Sequence, residues 1–206
     1  MAKLIGNAPN QVPTNADLGK MAFEDKVSVA NLNATGTKDA TTFLRGDNTF
    51  QTIGTNTPAF KAYLSANSDT LNHDTLTVVP LASESFDIGS KFDTATYRFT
   101  PAEIGYYYLT GTCAIDWISG ASYLRQASIS VLKNGSSIGD SIITNFNSPD
   151  MEVIGISVNV IDYSSNVTDY YQLAVYQNNG SGLNSRRMRG SAAGERTFFC
   201  GQKLIT

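Results

Sequence analysis

One histidine and two cysteines are all the 206 residues hold of the side chains on which most nucleophilic and metal chemistry rests. A Ser-His-Asp hydrolase would have to use His73, which sits in the polar stretch 67–75 and reads first as a solvated loop residue. His73 with Asp69 and Asp74 has no spacing with a recognised coordination logic. The other carboxylates are scattered, and no pair can be set across a cleft for glycoside hydrolysis. The chain is therefore read as a non-enzyme with no cofactor. Cys113 and Cys200 cannot build a disulfide framework. Their apolar neighbours suggest small buried hydrophobes, with a single bridge between them left open. Charged residues are only 16% of the chain and the net charge is −3. No basic face is evident for nucleic acid. No run of about 18 apolar residues offers a helical membrane span. The opening Met1-Ala2-Lys3-Leu4-Ile5-Gly6-Asn7 lacks the apolar core of a secretory signal, so export by that route is not expected.

Ser, Thr, Asn and Gly supply 75 of the 206 residues, a mix poor in helix formers and rich in strand and turn residues. The composition divides near residue 57. Residues 1–57 hold three aromatics (Phe23, Phe43 and Phe50) and no net charge, whereas 58–206 hold the other 18 aromatics. The first part is too thinly apolar to build a core as a monomer. It is expected to be an extended arm, or to fold only against partner chains, and to lack a cooperative melt in isolation. A short helix is expected from Thr14 or Asn15 toward Phe23.

The second part reads as all-β. Strands are expected over 58–65, over 105–115, through Ala127, Ile129 and Val131, through Ile154, Ile156, Val158 and Val160, through Tyr171, Leu173 and Val175, and over 197–205. Asn134-Gly135 predicts a two-residue hairpin. Eight or so short strands fit a sandwich or jelly roll. Tyr106 and Tyr108 point opposite to Tyr107 and Leu109, so both sheet faces carry large rings. One face meets the core; the other calls for a cover, and the simplest cover is another copy of the chain.

The residues also carry a resemblance. Phe86-Asp87-Ile88-Gly89, Phe92-Asp93, Tyr97-Arg98-Phe99-Thr100-Pro101 and Gly105-Tyr106-Tyr107-Tyr108-Leu109 are similar, in order, to the pattern of complement C1q-like heads. Phe60-Lys61-Ala62-Tyr63-Leu64 resembles the first strand of that family, Lys133-Asn134-Gly135-Ser136 its central hairpin, and Thr197-Phe198-Phe199-Cys200-Gly201-Gln202-Lys203-Leu204 its last strand. The likeness covers roughly 58–206. Before the penultimate strand the family has Gly-Asp where this chain has Ser164-Ser165-Asn166-Val167-Thr168-Asp169, so the geometry of that loop is open. The resemblance implies a ten-stranded C1q/TNF-like jelly roll and compact homotrimers. It leaves calcium, held by hard oxygen ligands, as the metal chemistry to consider, with no motif fixing the ligands.

The first part resembles something different. Asn10-Gln11-Val12-Pro13-Thr14-Asn15-Ala16-Asp17-Leu18-Gly19 and Met21-Ala22-Phe23-Glu24-Asp25 are similar to segments near the starts of phage tail-fibre proteins. Ala34-Thr35-Gly36-Thr37 followed by Thr42-Phe43-Leu44-Arg45-Gly46-Asp47-Asn48-Thr49-Phe50 resembles an "ATGTPS.sTFLRGDGTW" unit of phage fibres, marine and cyanobacterial phages included. This implies a virion appendage subunit made in bacterial cytoplasm. The arm 1–57 would dock on tail, baseplate or capsid proteins, and the head 58–206 would face a host surface glycan or protein. In a trimer, Phe23, Phe43 and Phe50 of three arms would be buried together, alongside Tyr106 and Tyr108 of the heads. Two other readings stay open: an architectural capsid-decoration, neck or baseplate protein, and a secreted C1q-like ligand.

Arg186, Arg187 and Arg189 form the one basic cluster, placed in a loop between the last two strands. They read as solvated, as ion pairs to a neighbouring subunit, or as contacts to an acidic receptor. Trp117 reads as a core or interface ring before a sugar platform. Arg45-Gly46-Asp47 is accounted for by the phage-type unit, and Asn166-Val167-Thr168 is a sequon of a kind that chance produces often.

Overall fold

The structure, a computed structural model, describes residues 34–52, 54–118, 124–144, 153–180, 182 and 184–205. The expected helix toward Phe23 lies outside these residues, as does Phe23 itself. The chain divides into two units, Met1–Gly54 and Thr55–Thr206.

In the first unit β1 (Thr42–Leu44) pairs antiparallel with β2 (Phe50–Thr52). The pairing places Leu44 opposite Phe50 and Phe43 opposite Gln51. Successive strand residues alternate faces, so apolar side chains appear on both sides of this ribbon. Phe43 and Leu44 are exposed and Phe50 is half-buried. Asp47 shapes the turn by accepting from the Thr49 amide (3.1 Å) and hydroxyl (2.7 Å). Arg45 and Asp47 lie 3.6 Å apart and pair with each other.

The second unit is a two-sheet antiparallel sandwich. In chain order its strands are β3 (Ala59–Tyr63), β4 (Thr70–Leu71), β5 (Thr77–Val78), β6 (Ser83–Ile88), β7 (Phe92–Asp93), β8 (Arg98–Phe99), β9 (Gly105–Trp117), β10 (Leu124–Lys133), β11 (Ser136–Thr144), β12 (Val153–Ser164), β13 (Tyr171–Asn179), β14 (Arg186–Met188) and β15 (Phe198–Lys203). One sheet runs β4-β14-β9-β15-β3-β6, with β12 on the other edge of β9. The second runs β11-β10-β13-β8-β7, with β5 beside β13. After β9 the chain crosses to β10, turns into β11, returns to β12, crosses to β13 and returns again to β14 and β15. Repeated exchange between two sheets of antiparallel strands is the jelly-roll connectivity. The all-β sandwich expected from composition is the fold found.

Alternation builds the core. Tyr107, Leu109, Cys113 and Ile115 of β9 point inward, as do Ile154, Ile156 and Val158 of β12 and Ile129 and Val131 of β10. Phe60 lies at the centre of an aromatic stack, its ring centroid 4.3 Å from Phe99 and 5.1 Å from both Phe92 and Phe199. Gly111 holds the sheets close at mid-strand: a Cβ there would lie 2.2 Å from Cδ1 of Leu173.

The Asn134-Gly135 turn has φ of 51° and 84°, the left-handed pair a two-residue hairpin demands. The neighbouring loop, which departs from Gly-Asp, is held by Asp169. Its carboxylate accepts from the amides of Ser165 (3.0 Å) and Asn166 (3.1 Å) and from Asn134 Nδ2 (2.8 Å). Lys133 Nζ sits 2.8 Å from Asp162 and 3.5 Å from Asp169. Tyr171 donates its hydroxyl to Asp162 at 2.7 Å. Hairpin, loop and β13 are thus joined by one polar knot.

Candidate functional site

The outward face of the sheet containing β9 is the surface that most departs from an ordinary solvated face. Register places Ile88, Ala59, Gln202, Tyr108 and Ile161 in one row across β6, β3, β15, β9 and β12. The next row toward the middle of the sheet holds Phe86, Lys61, Cys200, Thr110 and Asn159. Below the first row, Tyr106 packs on Tyr163 with ring centroids 4.9 Å apart. Phe86, Ile88, Tyr106, Tyr108, Ile161 and Tyr163 are all exposed, Ile161 at 64%. A hollow of about 170 Å³ opens among them, lined by Ala59, Phe86, Tyr108, Cys200 and Gln202.

The other half of the face is polar. Thr112 and Ser157 hydroxyls meet at 2.9 Å, and Tyr108 donates to Asn159 at 3.0 Å. The apolar half therefore lies where β9 begins and β3 comes in, and the polar half toward the other end of β9. The sequence marks Tyr106 and Tyr108 for this face but not Phe86, Ile88, Ile161 and Tyr163. For the last two a signal existed. In β12 the outward set passes from Gly155, Ser157 and Asn159 to Ile161 and Tyr163 while the inward set passes from Ile156, Val158 and Val160 to Asp162 and Ser164, so the apolar parity changes face near residue 160. Phe86 and Ile88 enter from the sequence only through the C1q-like pattern.

Arg186, Arg187 and Arg189 are not on a free loop. Arg186–Met188 is the strand β14, paired with β9 and β4. Arg186 is buried at 1% exposure, so its guanidinium is not available to a receptor. Burial draws its pKa down against the field of Asp116. Arg187 and Arg189 converge on Asp116 at 3.2 and 3.7 Å, which spends part of their charge within the chain. The burial has a physical reason: β14 extends the line of β15 beside β9, so alternate side chains of the segment must turn inward.

The two cysteines lie on opposite faces of one sheet and are not bridged. Cys113 is in the core, where burial pushes its thiol up to about 12. Cys200 sits on the outer face beside the hollow, and its thiol is also raised by burial. His73 is partly sheltered rather than free in solvent: its Nδ1 accepts from the Asn179 amide at 3.3 Å, and its own amide donates to Asn184 at 2.7 Å. Trp117 ends β9 and is partly exposed.

Neither a protein-family model nor a curated protein matches the sequence. Among solved structures, the chain is similar to the globular domain of zebrafish complement 1qA, at 13% identity and a TM-score of 0.49. That match covers 72% of this chain and 98% of the other. It is also similar to murine APRIL in a crystal at pH 8.0, at 11% identity and a TM-score of 0.49, covering 71% and 98%. At such identities the likeness says nothing of ligand or activity.

Proposed function

We propose that this chain is a self-associating structural subunit, a homotrimer whose β heads pack through the outer face of the β9 sheet and whose first unit fixes it to a phage particle. The observation that carries the reading is the exposed apolar half-face of Phe86, Ile88, Tyr106, Tyr108, Ile161 and Tyr163. Burying such rings between copies removes apolar surface from water, at about 25 cal/mol per Å². A hollow among them suits an inserted side chain of a neighbouring copy. The threefold count comes from the C1q-like resemblance. The virion comes from the resemblance of 34–37 and 42–50 to phage fibre units. On this reading the head displays the end of the sandwich away from β3's start to a host surface.

Solution mass tests it. Wild-type chain is expected at about three times 22.2 kDa by light scattering. Ile161→Asp with Tyr108→Glu is expected to give a monomer with unchanged far-UV dichroism. A wild-type monomer at micromolar concentration overturns the self-association. Antibody labelling of purified particles tests the virion: no label on tail, neck or capsid removes that part.

A further inference from the structure

At the end of the sandwich opposite the apolar half-face, two chain segments far apart in sequence bring His73, Asp74, Tyr176 and Asn178 together. The end is fixed by register: β4 runs into this loop and pairs with β14, which pairs with Trp117 and Asp116 at the close of β9. Ala59, where the chain comes into the head, instead lines up with Tyr108 near the start of β9, through Gln202. About nine residues of β9 separate the two levels, roughly 30 Å at strand rise.

We propose that this cluster binds a neutral, hydroxyl-rich ligand, a saccharide unit of a surface glycan. The argument begins with hydrogen-bonding capacity. Tyr176 Oη and Asn178 Nδ2 both donate to Asp74 Oδ1, the latter at 3.1 Å. Among the described residues Asp74 Oδ2 and Asn178 Oδ1 meet no donor, and His73 Nε2 meets no acceptor. His73 Nδ1 accepts from a backbone amide, which makes Nε2 the protonated nitrogen of the neutral ring. Two acceptors and one donor thus remain for a ligand in a cluster joined through the Asp74 carboxylate and the Tyr176 hydroxyl. That set matches adjacent sugar hydroxyls, which both donate and accept, with the C–H face of the pyranose left for the aromatic ring.

Rigidity strengthens the case. Tyr176 and Asn178 project from the outer face of β13, whose ladder with β10 is continuous through 176–178. The Asp74 amide donates to the Gln177 carbonyl at 2.9 Å, which fixes the loop to the strand. The groups are held before any ligand arrives, so little ordering entropy opposes binding. The sign of charge selects the class. Asp74 is the one acidic group of the four, and its bonds with Tyr176 and Asn178 favour the ionised form. It repels phosphates, sulfates and carboxylates and attracts hydroxyl protons.

The inference deepens the reading of a surface-facing head, yet its test does not depend on trimer or virion. Full-length wild-type protein is titrated by calorimetry and saturation-transfer NMR with the methyl glycosides of glucose, galactose, mannose, fucose and N-acetylglucosamine, and with sialic acid and glucuronic acid. Saturable millimolar binding of at least one neutral glycoside is expected. Asp74→Asn and Asn178→Ala are expected to weaken it at least tenfold with melting temperatures within a few degrees of wild type. Tyr176→Phe, which keeps the ring and loses the hydroxyl, should retain more binding than Tyr176→Ala. Arg187→Ala should change nothing. Binding of acidic sugars alone, binding unaltered in the Asp74 and Asn178 variants, or no binding across the panel overturns the inference. A monomer that still binds would sink the trimer and leave the saccharide site standing.

Discussion

Four donors converge on the Asp169 carboxylate: Ser164 Oγ, the Ser165 and Asn166 amides and Asn134 Nδ2. Donation from Asn134, together with the backbone bonds and the charge of Lys133, holds its carboxyl below the usual range against the opposing effect of burial. Burial pulls Lys133 down, but its pairs with Asp162 and Asp169 outweigh this and leave it above its ordinary value. A depressed carboxyl contributes stability that is present above its unfolded pKa, near 4, and is lost as pH falls through the lower folded value. Thermal melts are therefore expected to weaken as pH drops from about 5 toward 3. An Asp169→Asn variant should start less stable and show a flatter acid limb. Asp169→Ala removes every accepted bond and is expected to cost about 2–3 kcal/mol in denaturant unfolding. Phe60, wholly buried among three rings, should cost about 3–5 kcal/mol as Phe60→Ala.

The elements differ in how openly the sequence declared them. β9, β12 and β15 bury every second residue along most of their length, and β10 and β13, though buried on both faces in part, still alternate Ala127, Ile129 and Val131 with serines and Tyr171, Leu173 and Val175 with Gln172 and Ala174. The β10–β11 hairpin was legible from Asn134-Gly135, since few other pairs accept two left-handed residues in succession. Replacing Gly135 by Ala should cost roughly 1 kcal/mol and slow formation of that hairpin, measurable by denaturant kinetics. That hairpin implies β11, but the extent of β11 is not written in its own pattern. Its Ser136-Ser137 start and Gly139 dilute the pattern, and only Ile138 and Ile143 pack against the core. β4, β5, β7 and β8 are two residues long, too short for any periodicity. β14 looked like a loop because Arg186-Arg187 reads as surface, and burial of Arg186 is decided by the neighbouring Asp116 and β9 rather than by local pattern. The apolar face was legible only through Tyr106 and Tyr108; its other half comes from strands paired across the sheet, which no single segment reveals.

For the whole molecule, the second unit has its own closed core and is expected to melt cooperatively when expressed as residues 55–206. The first unit's ribbon carries Phe43 and Leu44 uncovered, and a lone two-stranded ribbon is marginal in water. Residues 1–54 alone should show no sharp calorimetric transition. Cys200 gives a further readout of assembly. It should react slowly with a thiol reagent in the wild-type oligomer and faster in the Ile161→Asp, Tyr108→Glu monomer, while Cys113 stays inert in both. Finally, β3 and β15 are antiparallel neighbours, and the Lys203 amide donates to the Pro58 carbonyl at 3.1 Å. The outermost strands of the sandwich's backbone circuit are thus already stitched at one corner. A few-residue tether across that corner would close the circuit, so the polypeptide could be reopened elsewhere, turning the head into a permutable scaffold whose cargo leaves from a chosen loop.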